Sequence, residues 1–185
     1  KVLKDEFGLK LNEYKYFAGH SLGEYSALVC SESLDFKDSL FLLKERGKAM
    51  QNAVPVGKGA MVAVLGCELI ELKNFFKKMK SKEICEIAND NAPGQLIVSG
   101  EINAINELKE ILTKKKKKNI SLPVSAPFHC SLMNKASEEM KDKINSINFN
   151  IPKVDIVSNI TASPEKNPNK IKKLLIDQIF STVRW

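Results

Sequence analysis

Five residues, Gly19-His20-Ser21-Leu22-Gly23, constrain this chain more than any other feature. They sit between a short β-prone run, Tyr14 to Ala18, and a stretch of helical character from Leu22 to about Cys30. A serine flanked by glycines in the order strand, tight turn, helix is the nucleophile elbow, in which glycine permits the sharp turn that lifts Oγ above a sheet. The helix that follows aims its N-terminus at the serine, so the Leu22 backbone N–H and the helix dipole are placed to stabilise an oxyanion. Ser21 is therefore the candidate nucleophile, and Leu22 the candidate oxyanion donor, of an α/β fold.

The rest of the chain supplies the layers such a turn needs. Val2 to Leu9 reads as the end of a helix closing at Gly8, and Phe36 to Ala53 as a helix capped by Asp35, with Pro55 and Gly57 beyond it. Gly59 to Leu65 is an apolar strand, Glu68 to Lys80 a helix, and Ile84 to Ala88 and Leu96 to Ser99 strands around Asn91-Ala92-Pro93-Gly94. A helix from Glu101 to about Lys115 and a strand from Ile120 to Ser125 complete a β-α-β-β-α-β series, the ferredoxin-like split order. After it come a helix from Leu132 to Ile147, a strand from Val154 to Ser158 and a helix from Asn169 to Phe180. The expectation is an inserted small subdomain, 58–125, within one larger domain made of 1–57 and 126–185; at 185 residues there is room for both.

A serine nucleophile needs a base, and the chain has two histidines, His20 and His129. His20 would have to fold back past its own backbone, which leaves His129, in the restricted loop Pro127-Phe128-His129, as the better candidate; a packed loop histidine is the bland alternative. At about 100° per residue, Arg46 falls among Leu42, Leu43, Ala49, Met50 and Ala53, whereas Lys37, Lys44, Glu45, Lys48, Gln51 and Asn52 share the opposite face. A guanidinium on an apolar stripe requires an anion, either a protein carboxylate or a bound one held bidentately; a snorkelling side chain is the third option. No carboxylate stands out as a third triad member, so a backbone carbonyl is expected to orient the base in a Ser-His dyad.

Composition narrows the field. Cys30, Cys67, Cys85 and Cys130 have no metal-like spacing and histidine is scarce, so no metal site is expected. No apolar run approaches the roughly 20 residues that span a bilayer, so a soluble chain off the membrane is expected. The net charge of +7 admits an acidic partner, although the run Lys114 to Lys118 reads as a solvated turn and not as a nucleic-acid surface. Lys1 lacks the look of a start and Trp185 that of a polar tail, which suggests a piece of a longer chain.

Taken together, Gly19-His20-Ser21-Leu22-Gly23-Glu24-Tyr25-Ser26-Ala27-Leu28, Arg46-Gly47-Lys48 with Met50-Gln51, Gly59-Ala60-Met61, Asn91-Ala92-Pro93-Gly94-Gln95 and Leu122-Pro123-Val124-Ser125-Ala126-Pro127-Phe128-His129 closely resemble the malonyl-CoA:acyl carrier protein transacylases of bacterial-type fatty acid synthesis. The resemblance implies an α/β-hydrolase-like large domain with the ferredoxin-like insertion. It implies that Ser21 takes a malonyl group from malonyl-CoA with His129 as base, and passes it to the phosphopantetheine thiol of acyl carrier protein, an acidic, transient partner. No permanent cofactor is implied. Arg46 would hold the malonyl carboxylate, Met50 and Phe128 would line the acyl pocket, and Gln95 and Asn159 match positions near the site. The carbonyl that orients the base would be that of Arg184. A Gly-Gln-Gly loop that supplies the family's second oxyanion donor precedes the first residue here. A monomer is expected. A Lys- and Asn-rich eukaryotic copy would serve a plastid-type organelle or a mitochondrion, with bacterial cytoplasm the other setting. The rival enzyme reading, an α/β-hydrolase thioesterase or esterase, shares the elbow but leaves Arg46 unexplained.

Overall fold

The computed structural model describes residues 5–185, so the expected helix beginning at Val2 lies partly outside the described residues; Gly8, where it was expected to close, sits at φ +63°. After a 3-10 turn at Leu11–Glu13, β1 (Tyr16–Ala18) leads through the elbow into α1 (Leu22–Cys30) and then α2 (Phe36–Asn52). Asp35 caps α2 by accepting from the Lys37 N–H at 2.8 Å, which satisfies one of the donors a helix start leaves open. Next come β2 (Gly59–Leu65), α3 (Leu69–Phe76), β3 (Cys85–Ala92), β4 (Gln95–Glu101), α4 (Ile102–Lys114) and β5 (Lys118–Ser121). A 3-10 turn at Ser131–Met133 opens α5 (Asn134–Ser146), and β6 (Asp155–Val157), β7 (Pro164–Glu165), α6 (Pro168–Gln178) and β8 (Val183–Arg184) finish the chain.

Two sheets result. In the first, β1 pairs in parallel with β6, and β6 antiparallel with β7. In the second the order is β5-β2-β4-β3-β8, antiparallel throughout except for β8, which runs parallel to β3. Val183 and Arg184 therefore leave the flanking segments with which they were expected and join the edge of the second sheet, at Asn89 and Asp90. Each sheet has its own core. Tyr25, Leu28, Leu42, Ala49, Met50, Met140, Ile144, Ile156 and Leu175 fill one, and Val62, Val64, Leu72, Leu96, Ile105, Leu108 and Leu112 the other. Phe128 packs against the first core and also against the Met61, Ala88 and Ile97 cluster on the other face of the second sheet, so it bridges the two bodies.

Four expected elements change length. The helix begun at Leu69 stops at Phe76 because the Lys80 and Ser81 N–H groups are taken by the Glu107 carboxylate at 2.6 and 2.9 Å, which turns the Lys-rich tail out of the helix. The hairpin strands β3 and β4 run further than expected, closing the turn on Pro93 and Gly94 alone. The strand expected over Ile120 to Ser125 is shifted to Lys118–Ser121 by its pairing with Val62 to Leu65. That shift divides the lysine run: Lys114 ends α4, Lys118 begins β5, and Lys117 bonds Glu71 and the Gly66 carbonyl, each at 2.8 Å.

Candidate active site

The elbow is built from its glycines outward. A Cβ on Gly19 would stand 1.9 Å from the Gly23 carbonyl oxygen, so the turn closes only because residue 19 has none. Ser21 then sits at φ 51°, ψ −105°, a conformation that costs a non-glycine residue about 1–3 kcal/mol and persists only where its surroundings fix it. They do so through Asn159. Its Oδ1 accepts from the Ser21 N–H at 2.6 Å and its Nδ2 donates to the Gly19 carbonyl at 2.9 Å, clasping the turn from the end of β6. The Gly23 and Glu24 N–H groups donate to His20 and Ser21, which starts α1. Leu22 is the first residue of that helix, so its N–H has no intrahelical acceptor and stays available beside the serine.

His129 Nε2 lies 2.8 Å from Ser21 Oγ, and His129 Nδ1 lies 2.8 Å from the Gln178 main-chain oxygen. A carbonyl only accepts, so Nδ1 carries the proton and Nε2 is left as the lone-pair base toward the serine hydroxyl. The expectation that Arg184 supplies this carbonyl is corrected: the Arg184 N–H donates to the Asn159 carbonyl, and its residue belongs to β8 on the far sheet. The physical reason is helical. Gln178 is the last residue of α6, where carbonyls lack intrahelical donors, and the negative end of that helix dipole favours positive charge on an imidazole placed there. Burial, with a smaller push from Arg46, holds His129 down at about 4, so it is a neutral base at neutral pH.

Arg46 is 7% exposed, and its Nη2 donates both to Ser21 Oγ at 2.9 Å and to Gln178 Oε1 at 3.0 Å. The guanidinium also lies 5.9 Å over the Tyr25 ring. Burial lowers its pKa, with Tyr25 and Glu24 pulling the other way. Glu24, 2% exposed in the first turn of α1, accepts from Gln178 Nε2 at 2.7 Å and from the Asn159 N–H at 3.2 Å. Burial pushes its carboxyl up to about 7 in spite of those donors and of Arg46. Gln178 and Glu24 were not picked out from sequence as site residues. Gln178 carries a signal, a polar residue on the apolar face of its helix; Glu24 looks like an ordinary acidic residue favoured at a helix start.

The remaining candidates divide. Met50, one turn beyond Arg46, is buried in the first core, and Phe128 immediately precedes the base. Gln95 is exposed at the start of β4, in register with Leu65 and Ala92, away from the serine's hydrogen-bond network. His20, set aside as base, has its own partners: Nε2 meets Asn91 Oδ1 at 2.9 Å and the ring meets Trp185 edge-on, centroids 5.5 Å apart. Asn91 is free to reach it because a register shift between Asp90 and Ala92 leaves residue 91 out of the ladder. Among the described residues no cluster of His, Cys, Asp and Glu could hold a metal ion, and no helix is long and apolar enough to cross a membrane.

Comparison with known proteins is consistent with this geometry. Residues 8–185 match the family model described as an acyl transferase domain. The malonyl CoA-acyl carrier protein transacylase of Bacillus subtilis is 40% identical over 173 residues, 92% of this chain and 54% of that protein. That of Haemophilus influenzae is 38% identical over 169 residues, 91% of this chain and 54% of that protein. The chain thus spans about half the length of the curated relatives it matches. Among solved structures, an acyl-carrier-protein S-malonyltransferase from Bartonella henselae superposes with a TM-score of 0.94 at 38% identity, covering 99% of this chain and 59% of that one. A malonyl-transacylase solved in complex with its type II PKS acyl-carrier protein gives 0.93 at 35% identity, covering 99% and 59%. These scores fix a mixed α/β fold. The organelle setting expected from composition has no counterpart among these named bacterial relatives.

Proposed function

The chain belongs to the acyl transferase domain family, and from that premise we propose that it moves a malonyl group from malonyl-CoA to the phosphopantetheine thiol of an acyl carrier protein. The observation that carries this reading is the convergence on Ser21 Oγ of a neutral base, His129 Nε2 at 2.8 Å, and a buried cation, Arg46 Nη2 at 2.9 Å. His129 takes the hydroxyl proton as Oγ attacks the thioester carbonyl. The oxyanion that forms is met by the Leu22 N–H and the N-terminus of α1. Collapse expels the coenzyme A sulfur, which takes the proton from the His129 imidazolium, and leaves a malonyl ester on Ser21. In the second half-reaction the pantetheine thiol gives its proton to His129 and attacks that ester, and Ser21 recovers the proton as it leaves.

Arg46 is the specificity element in this scheme, its guanidinium pairing with the terminal carboxylate of the malonyl group. Met50 and Phe128 line the acyl pocket, and Asn159 keeps the elbow closed. The architecture behind the site is an α/β-hydrolase-like domain, 1–57 and 126–185, carrying a ferredoxin-like insertion, 58–125; the order β5-β2-β4-β3 supports this. A thioesterase or esterase reading is less well supported, because the base is oriented by a main-chain oxygen and the buried cation faces the nucleophile.

The test is intact-mass analysis after brief exposure to malonyl-CoA, followed by addition of holo acyl carrier protein. One malonyl group should appear on Ser21 and then move to the carrier, and Ser21→Ala should take up none. Release of free malonate without transfer would assign the chain to the hydrolases instead.

A further inference from the structure

Gln178, fully buried, bonds Ser21, Glu24, Arg46, His129 and Asn159. Its main-chain oxygen orients His129, while its side-chain amide lies between the buried guanidinium of Arg46 and the buried carboxyl of Glu24. The amide has one sensible orientation. Nε2 faces three acceptors, Glu24 Oε2 at 2.7 Å, the Ser21 carbonyl at 3.1 Å and Asn159 Oδ1 at 3.2 Å, and Oε1 faces a donor, Arg46 Nη2 at 3.0 Å. Flipping it would set an NH2 against a guanidinium and an oxygen against a carboxylate. One consequence is that the guanidinium and the carboxyl do not touch. Among the described residues Arg46 forms no ion pair; it has an amide oxygen, a hydroxyl, the face of a tyrosine and an Nε without any hydrogen-bond partner.

A buried guanidinium served only by neutral acceptors is short of an anion. We propose that the side chain of Gln178 is a specificity-determining element, a neutral spacer between Glu24 and Arg46 that leaves the guanidinium uncompensated and so selects acyl groups ending in a carboxylate. The inference rests on Ser21 being the acyl acceptor, as argued above. Gln178 acts through Arg46, as a positioning residue. Were residue 178 a carboxylate, Arg46 would be paired within the protein, and an incoming carboxylate would have to displace that partner.

The test uses the full chain with malonyl- and acetyl-CoA, and reads kcat and KM separately. Gln178→Glu preserves side-chain length and the main-chain oxygen that orients His129, but offers Arg46 a carboxylate; beside Glu24, the two carboxyls share one proton and still present a negative charge. The malonyl-to-acetyl ratio of kcat/KM should fall by about a hundredfold, mainly through the malonyl KM, since the buried pairing that the substrate supplied is now supplied by the protein. Glu24→Gln removes the far ionisable carboxyl and keeps an acceptor for Nε2, so the ratio should hold or rise. A purely structural role would lower both substrates alike in both variants. The spacer is overturned if Gln178→Glu keeps the wild-type ratio, or if Glu24→Gln lowers it. If circular dichroism shows Gln178→Glu unfolded, Glu24→Gln decides alone: a ratio that rises supports the spacer, and an equal fall in both substrates or a lowered ratio overturns it. A wild type that loads no acyl group on Ser21 defeats the reading of the site and this inference with it; a malonyl-selective wild type whose selectivity survives Gln178→Glu defeats the spacer only.

Discussion

Replacing Arg46 with Ala removes two interactions that a comparison of substrates can separate. Its hydrogen bond to Ser21 Oγ, 2.9 Å, serves any acyl donor. A hydrogen bond to a charged group is worth about 1.5–3 kcal/mol, or one to two powers of ten in rate, and its loss falls on malonyl- and acetyl-CoA equally. The proposed pairing with a terminal carboxylate would be lost for malonyl-CoA alone. Breaking a buried ion pair costs about 3–5 kcal/mol, roughly two to three and a half orders of magnitude. In the ratio of the two kcat/KM values the shared part cancels, so Arg46→Ala should lower malonyl selectivity by at least about a hundredfold. Lys48 is the control: it is exposed on the opposite face of α2, 3.3 Å from Glu45, and Lys48→Ala should leave both substrates near wild type. The assay is single-turnover loading of Ser21 followed by mass. An equal fall for both substrates would make Arg46 a structural cation, and the carboxylate clamp would have to be sought elsewhere.

Gly19→Ala should lose both loading and thermal stability, because the new Cβ would overlap the Gly23 carbonyl; a melting temperature equal to wild type would refute the closure of the elbow described here. Stability should depend on pH through two opposed groups. His129, lowered from 6.5 to about 4, contributes stability that is full above 6.5 and lost as pH falls through about 4, whereas Glu24, raised from 4.5 to about 7, contributes stability that is full below 4.5 and lost as pH rises through about 7. The slopes oppose between 4.5 and 6.5, so Glu24→Gln should expose a stability that climbs with pH across that window in urea melts; a slope unchanged from wild type would contradict it. Neutral replacement of Lys114, Lys115 and Lys116 should change neither loading nor stability, while Lys117→Ala should lower the melting temperature slightly by releasing Glu71 and the Gly66 carbonyl; equal effects would restore the view of the whole run as a solvated turn.

Much of the site is written locally. The elbow follows from two glycines around a serine at a strand-to-helix junction, since the close approach of residues 19 and 23 is a matter of a few consecutive dihedrals. Arg46 is legible because helical phase alone places it among Leu42, Ala49 and Met50, and a guanidinium there demands an explanation. The cap at Asp35 and the apolar strand Gly59–Leu65 are local in the same way. His129 follows by elimination, the other histidine being too close to the serine in the chain to turn back on it.

What tertiary structure decided are the meetings between groups far apart in the chain. Gln178 and Arg184 both end regular elements near the C-terminus and both offer a carbonyl, and the packing of α6 sends the first toward His129 while β-pairing takes the second to Asp90. Glu24 looks like any acidic residue in the first turn of a helix until α6 and the end of β6 close over it, and only then does burial raise its pKa and tie it to Gln178 and Asn159. Sequence periodicity reports which face of an element turns inward, because that is set by the 3.6- and 2-residue repeats of a single segment. It does not report which inward group another segment will meet, because that depends on the relative placement of whole elements, fixed by the packing of both cores at once.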